Sequence, residues 1–132
     1  MAKILIAEDD PATRYILAKT VEKMGHIAIF SPNGRHAWET LQVNPDIRLL
    51  ITDVMMPEMD GRQLIGVIRG NEDFRDLPVI IISAVIGPKA IHDLLQIGAT
   101  FFLPKPLDYK EVIHYVARYL EPETENKNAE NG

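Results

Sequence analysis

The fold of this chain is most easily predicted from the stretch LLITDVMMPEMDG, residues 49–61. It begins with an apolar run, reaches a carboxylate at Asp53, and is then broken by Pro57 and Gly61. A short and nearly continuous apolar run is typical of a strand that is covered on both faces. Because a carboxylate at the end of a buried strand is costly unless something pairs with it, we infer that Asp53 marks a functional site.

Four other short apolar runs resemble this one, and the segments between them have the residue spacing of amphipathic helices. The predicted strands are residues 3–7, 27–30, 48–52, 78–83 and 100–104. The predicted helices are residues 11–24, 35–43, 61–70, 88–97 and 108–120. Strict alternation of strand and helix predicts a doubly wound α/β domain, (βα)5, with a parallel sheet and helices on both of its faces.

The composition limits the class of protein. A chain of 132 residues with 46% hydrophobic and 25% charged residues fits one globular domain, which we assign to residues 1–120. The acidic segment 121–132 is expected to be a disordered tail or linker. It carries four Glu and one Lys of a chain with net charge -5, so the domain itself offers no basic face, and nucleic-acid binding is not expected.

The cysteine count and the length of the apolar runs exclude further classes. The chain has no cysteine, which rules out a disulfide scaffold, a thiolate zinc site and a cysteine nucleophile. The apolar runs have the length of strands, so neither a signal peptide nor a membrane span is predicted. These features favour a cytoplasmic protein.

Charged and polar side chains stand where four of the predicted strands end. The first strand is followed by Glu8 and Asp9, the third ends in Asp53, the fourth ends in Ser83, and the fifth leads into Lys105. In open α/β sheets, ligands bind beyond the carboxyl ends of the strands. We therefore expect these five residues to share one pocket.

Such a pocket needs a cation. Two carboxylates ~4 Å apart repel each other by roughly 4 kcal/mol at an effective dielectric constant of 20. Mg²⁺, which binds through carboxylates, water and phosphate oxygens, would balance the three acids together with the ammonium of Lys105. Asp53 could then attack a phosphoryl group to form an aspartyl phosphate, while Mg²⁺, Lys105 and the Ser83 hydroxyl meet the charge on the phosphoryl oxygens.

Four motifs identify a family. They are ILIAEDDPATR, LLITDVMMPEMDG, PVIIISA and GATFFLPKP. In this order and with these separations, residues 2–120 resemble a bacterial two-component response-regulator receiver domain of the chemotaxis-regulator type. The resemblance implies a flavodoxin-like three-layer sandwich with strand order 2-1-3-4-5.

The resemblance also implies roles for the pocket residues. Asp53 matches the phosphoacceptor, which takes a phosphoryl group from a phosphohistidine on a sensor histidine kinase or phosphotransfer protein. Glu8 and Asp9 match the acidic pair that holds Mg²⁺, with Asp53 and the backbone carbonyl of Met55 as further ligands. Lys105 matches the lysine that contacts the phosphate. Such a domain is a signalling switch that catalyses its own phosphorylation, not a conventional enzyme.

Three further positions follow from the same resemblance. Ser83 matches the switch hydroxyl, Phe102 the aromatic switch residue, and Pro106 the proline whose peptide bond to Lys105 is cis. Phosphorylation would change the surface of the fourth helix, fifth strand and fifth helix, where an output protein of unknown identity would bind. Phosphorylation could also produce a homodimer. Met55 and Val85 are both apolar where the family orients the attacking water, so we expect slow dephosphorylation.

Three alternatives remain beside this interpretation. A haloacid-dehalogenase-like phosphatase would need a second acid two residues after the nucleophile, where this chain has Met55. A flavodoxin-like redox carrier would need a phosphate-binding loop after the first strand, where this chain has EDDPATR. A degenerate receiver would act only as a protein-binding module.

Asp10, before Pro11, is interpreted as a helix cap and not as a metal ligand.

Overall fold

The computed structural model describes residues 1–84 and 87–120. The predictions for Val85 and for the segment 121–132 lie outside the described residues. Five strands alternate with five helices: β1 (Lys3–Ala7), α1 (Pro11–Lys23), β2 (Ile27–Ser31), α2 (Gly34–Val43), β3 (Ile47–Asp53), α3 (Gly61–Arg69), β4 (Val79–Ser83), α4 (Pro88–Ile97), β5 (Phe101–Pro104) and α5 (Tyr109–Leu120). Each agrees with the predicted range to within one residue at either end.

The strands form one parallel sheet in the order β2-β1-β3-β4-β5. This is the predicted order, and it places β3 in the centre with its carboxyl end between those of β1 and β4. The predicted doubly wound α/β fold is therefore confirmed. Because β1, β3 and β4 are covered on both faces, almost all their residues are buried, as expected for the middle of such a sheet.

Two apolar clusters cover the two faces of the sheet. One joins Leu5 and Leu50 of the sheet to buried residues of α2, α3 and α4. The other joins Ile4 and Ile51 to buried residues of α1 and α5. Because neighbouring residues of each strand point to opposite faces, this division gives the three layers that were predicted.

Side chains fix the points at which the helices begin. Asp10 caps α1 by accepting a hydrogen bond from the Thr13 N–H at 3.0 Å, which agrees with its interpretation as a cap. Asp60 and Gln63 form a reciprocal capping box at α3. A short 3-10 turn at Glu72–Phe74 was not predicted.

Among the described helices, none has the length and apolar character that a membrane crossing requires.

Candidate functional site

The predicted site residues lie along the carboxyl edge of the sheet. Asp53 and Ser83 are the last residues of β3 and β4, and Glu8 comes directly after β1. Lys105 comes directly after β5, and its N–H donates a 2.8 Å hydrogen bond to the Ser83 carbonyl. The sheet order thus places the strand ends that carry these four residues side by side.

Lys105 and Asp53 form the central polar contact. The Nζ of Lys105 donates a 2.7 Å hydrogen bond to Oδ2 of Asp53. Burial lowers the pKa of Lys105, but its contacts with Asp53 and Glu8 outweigh burial and raise that pKa above its ordinary value. The lysine is therefore charged, and it holds one oxygen of Asp53 in place.

Glu8 is the most enclosed acid of the site. Its side chain has no exposed surface, and its Oε2 accepts a 3.0 Å hydrogen bond from the N–H of Asp10. Its Oε1 lies 2.9 Å from Nζ of Lys105 as an ion pair, but without the geometry of a hydrogen bond among the described residues. Burial, together with the charge of Asp53, raises the pKa of Glu8, and the contacts with Lys105 and Asp10 offset only part of that rise.

Asp9 completes an acidic triplet with Glu8 and Asp53. One carboxylate oxygen from each residue lies within 4.8 Å of the others. Asp9 is exposed, whereas the other two are buried. Three carboxylates against one ammonium leave a net negative charge. This set of oxygen donors fits a hard divalent cation such as Mg²⁺.

Met55 contributes to the site through its backbone. Its N–H donates a 3.2 Å hydrogen bond to Oδ1 of Asp53, so that both oxygens of Asp53 have partners. Its side chain is 75% exposed. The role of the Met55 carbonyl as a metal ligand stays a prediction.

The three remaining predicted positions lie around β4 and β5. The Ser83 residue is buried, at the strand end next to Asp53. Phe102 is half-buried opposite Ile81 and packs on the cluster that includes α4. The Lys105–Pro106 peptide bond is cis, as the resemblance implied. The switch roles of Ser83 and Phe102 stay predictions.

Two contacts at the site have no signal in the sequence. Arg14 donates from Nη1 to the Glu8 carbonyl at 3.3 Å and places its guanidinium 5.8 Å from the centre of the Phe30 ring. Gly34, the first residue of α2, donates a 2.9 Å hydrogen bond to the Met59 carbonyl in the loop after β3. Both contacts join segments that are distant along the chain, so local patterns do not reveal them.

Comparisons with known proteins agree with this geometry. The family described as the response regulator receiver domain matches residues 4–117. A chemotaxis protein CheY homolog of Campylobacter jejuni is 31% identical over 105 residues, which cover 79% of this chain and 81% of that protein. A 14.6 kDa protein of Leptolyngbya boryana is 37% identical over 116 residues, 88% of each chain. The crystal structure of the signal receiver domain of a histidine kinase from Syntrophus aciditrophicus has a TM-score of 0.84 and 34% identity, covering 92% of this chain and 91% of that one.

Proposed function

The chain belongs to the response regulator receiver family, whose general function is that of a phosphorylation switch, and from this premise we propose that Asp53 is its phosphoacceptor. The observation that supports this best is the position of Lys105. Its ammonium lies 2.7 Å from Asp53 and 2.9 Å from Glu8, at the edge of the sheet where Asp9 also stands. Lys105 is half-buried, and its contact with Asp53 puts the ammonium where it can meet the charge of a phosphoryl group on that residue.

The transfer step needs one nucleophile and one leaving group. A carboxylate oxygen of Asp53 forms a bond to the phosphorus of a phosphohistidine on a sensor histidine kinase or phosphotransfer protein. The P–N bond breaks, and its electron pair stays on the imidazole nitrogen. Lys105 meets the negative charge on the phosphoryl oxygens, and the Ser83 hydroxyl donates to one of them.

Glu8, Asp9, Asp53 and the Met55 carbonyl would hold Mg²⁺. When bound, Mg²⁺ neutralises charge on the acids and on the phosphoryl oxygens. The acidic triplet supports this assignment, because the single ammonium of Lys105 does not balance three neighbouring carboxylates.

The output is a change of surface, and the protein is not a conventional enzyme. Ser83 moves toward the phosphoryl group, and Phe102 turns into the space that it leaves. The surface formed by α4, β5 and α5 then binds an output protein or a second copy of the chain. Phe102 already packs on the cluster that includes α4, which supports a link through packing. We place the protein in the cytoplasm, where it acts without binding nucleic acid.

The exposed apolar side chain of Met55 disfavours the phosphatase alternative. A hydrolase of the haloacid-dehalogenase type would use an acid at this position to protonate the leaving group. The thioether of Met55 cannot supply that proton.

Incubation with Mg²⁺ and acetyl phosphate tests the proposal. Wild type should gain the mass of one phosphoryl group, and Asp53→Asn should not, because an amide oxygen is a poor nucleophile. A chelator should abolish the gain. The same samples on a sizing column would show whether phosphorylation produces a dimer.

Asp73→Asn is the matched control, since Asp73 is an exposed aspartate in the short 3-10 turn at Glu72–Phe74, outside the acidic triplet. It should be labelled like wild type. Labelling of Asp53→Asn at the wild-type rate would place the acceptor elsewhere, and wild type that never gains mass would exclude this phosphodonor chemistry.

A further inference from the structure

The loop between β3 and α3, residues 54–60, supplies a backbone N–H group that contacts Asp53. Its Met55 N–H holds Oδ1 of Asp53 at 3.2 Å. The two ends of the loop are joined by a 2.8 Å hydrogen bond from the Gly61 N–H to the Val54 carbonyl. Any change in the path of the loop therefore moves a group that touches the carboxylate.

The far side of this loop is held by a different helix. A tight turn places Glu58 at φ 70, with the Met59 N–H donating to the Pro57 carbonyl at 2.8 Å. The carbonyl of Met59 then accepts the 2.9 Å hydrogen bond from the N–H of Gly34. Because the first N–H groups of a helix have no partner inside it, α2 donates one of them to the loop.

Only glycine allows this approach. A Cβ on Gly34 would overlap the Met59 carbonyl oxygen and lie 2.8 Å from the carbonyl carbon. Both are backbone atoms, so no side-chain rotation relieves the overlap, and the loop itself would have to move. Gly34 has no positive φ, which means that close approach, and not backbone conformation, requires the glycine here.

We propose that Gly34 is a positioning residue for the phosphorylation site, which acts by fixing the β3–α3 loop through its contact with Met59. This inference rests on the proposed function of Asp53 and adds to it a requirement from α2. Displacement of the loop would shift the Met55 N–H and carbonyl relative to Asp53. Supporting groups of this kind change metal affinity and rate although they touch neither the metal nor the substrate.

The test compares Gly34→Ala with two matched variants. Gly66→Ala also adds one methyl group to a helix, but nothing lies within 4 Å of that position. Val116→Ala removes buried volume from α5 in the cluster on the other face of the sheet, and so provides a loss of stability without a change in the loop. Mg²⁺ affinity is measured by calorimetry, phosphorylation by acetyl phosphate is timed, and exchange of the Met55 amide is followed by NMR, all well below each melting temperature.

Gly34→Ala should weaken Mg²⁺ affinity by roughly tenfold and slow phosphorylation by about tenfold to a hundredfold, with faster exchange of the Met55 amide. Gly66→Ala and Val116→Ala should match wild type in all three measurements. Wild-type behaviour of Gly34→Ala, or equal losses in Val116→Ala, would overturn the proposal.

A measurement on wild type keeps the test valid if Gly34→Ala does not fold. During a Mg²⁺ titration, the Gly34 amide resonance should shift along the same saturation curve as that of Met55, and the Gly66 amide should stay still. A Gly34 resonance that does not move would refute the coupling. If wild type binds no Mg²⁺ and gains no phosphoryl group, the proposed function fails. A faster exchange of the Met55 amide in Gly34→Ala would then still support the inference that Gly34 fixes the loop.

Discussion

Lys105 reaches across β4 to hold Asp53. Its Nζ lies 2.7 Å from Oδ2 of Asp53, although β5 and β3 are separated by β4 in the sheet. The backbone of the lysine is fixed as well, because its N–H donates to the Ser83 carbonyl at the end of that intervening strand. The position of the ammonium is therefore set by the sheet, and not only by the flexible side chain.

Replacement of Lys105 by Met should lower the free energy of unfolding, because the acids that the ammonium neutralises would then repel each other. Removing one partner of a buried ion pair costs about 3–5 kcal/mol. Because the Lys105 side chain is 19% exposed, we expect the free energy of unfolding to fall by about 2 kcal/mol in chelator. Excess Mg²⁺ should restore more stability to this variant than to wild type, as measured by urea unfolding with and without the ion.

Lys110→Met is the control, since Lys110 is exposed in the first turn of α5. Its unfolding free energy should change little under either condition. An equal loss in the two variants would mean that Lys105 contributes only as a surface charge.

The meeting of the strand ends at one site could be predicted because parallel sheets follow simple topological rules. Alternating strands and helices fix a parallel sheet, and a parallel sheet gathers the carboxyl ends of its strands at one edge. Glu8, Asp53 and Lys105 are each the residue at which an apolar run gives way to charge, so their proximity followed from the pattern.

What the sequence did not predict depends on distances between remote segments. Glu8 and Asp9 are adjacent acids in the sequence, yet one is buried and the other is exposed. Glu8 contacts Lys105, which lies far along the chain, and no local pattern shows this contact. The contact of Gly34 with Met59 has the same origin, because a glycine before a helix looks like an ordinary boundary until the loop from another part of the chain is present.

Glu8→Gln should stabilise the metal-free protein. The amide removes a charge that burial disfavours, and we expect a gain on the order of 1 kcal/mol, the size that single stabilising substitutions commonly give. Because folding raises the pKa of Glu8, the Glu8 contribution in wild type is complete at low pH and is lost as the pH rises through the folded pKa. The advantage of the variant should therefore grow as the pH rises above the ordinary glutamate pKa of about 4.3.

Urea unfolding in chelator over a range of pH measures this advantage. Glu39→Gln, at an exposed position of α2, should show no such trend. In excess Mg²⁺ the order should reverse, since the variant has lost a ligand. A variant that is less stable than wild type at neutral pH in chelator would contradict the prediction.

Met55→Gln should shorten the lifetime of the phosphorylated state. The side chain of Met55 is exposed and apolar, so it cannot orient a water molecule, whereas a glutamine amide can do so in other phosphoryl-transfer proteins. The backbone bond from this residue to Asp53 is retained. We expect dephosphorylation to accelerate by roughly an order of magnitude, as followed by phosphate release after removal of the donor.

Glu58→Gln places the same amide elsewhere on the loop and should leave the lifetime unchanged. Acceleration in both variants would point to a general effect of the loop. A wild-type phosphoryl half-life of only seconds would refute the expectation of slow dephosphorylation, whatever the variants do.

Arg69 stabilises the opposite edge of the sheet, and its loss should separate stability from function. Its guanidinium donates to the carbonyls of Gly98, Phe74 and Arg75 at 2.9–3.1 Å, and burial lowers its pKa. Arg69→Met leaves these acceptors without their donor and should lower the free energy of unfolding by about 2–3 kcal/mol, while exposed Arg62→Met should not.

Since these contacts lie at the amino ends of β4 and β5, Mg²⁺ affinity and the phosphorylation rate should stay at wild-type values in calorimetry and acetyl phosphate assays. A loss of Mg²⁺ affinity in folded Arg69→Met would show that the two edges are coupled.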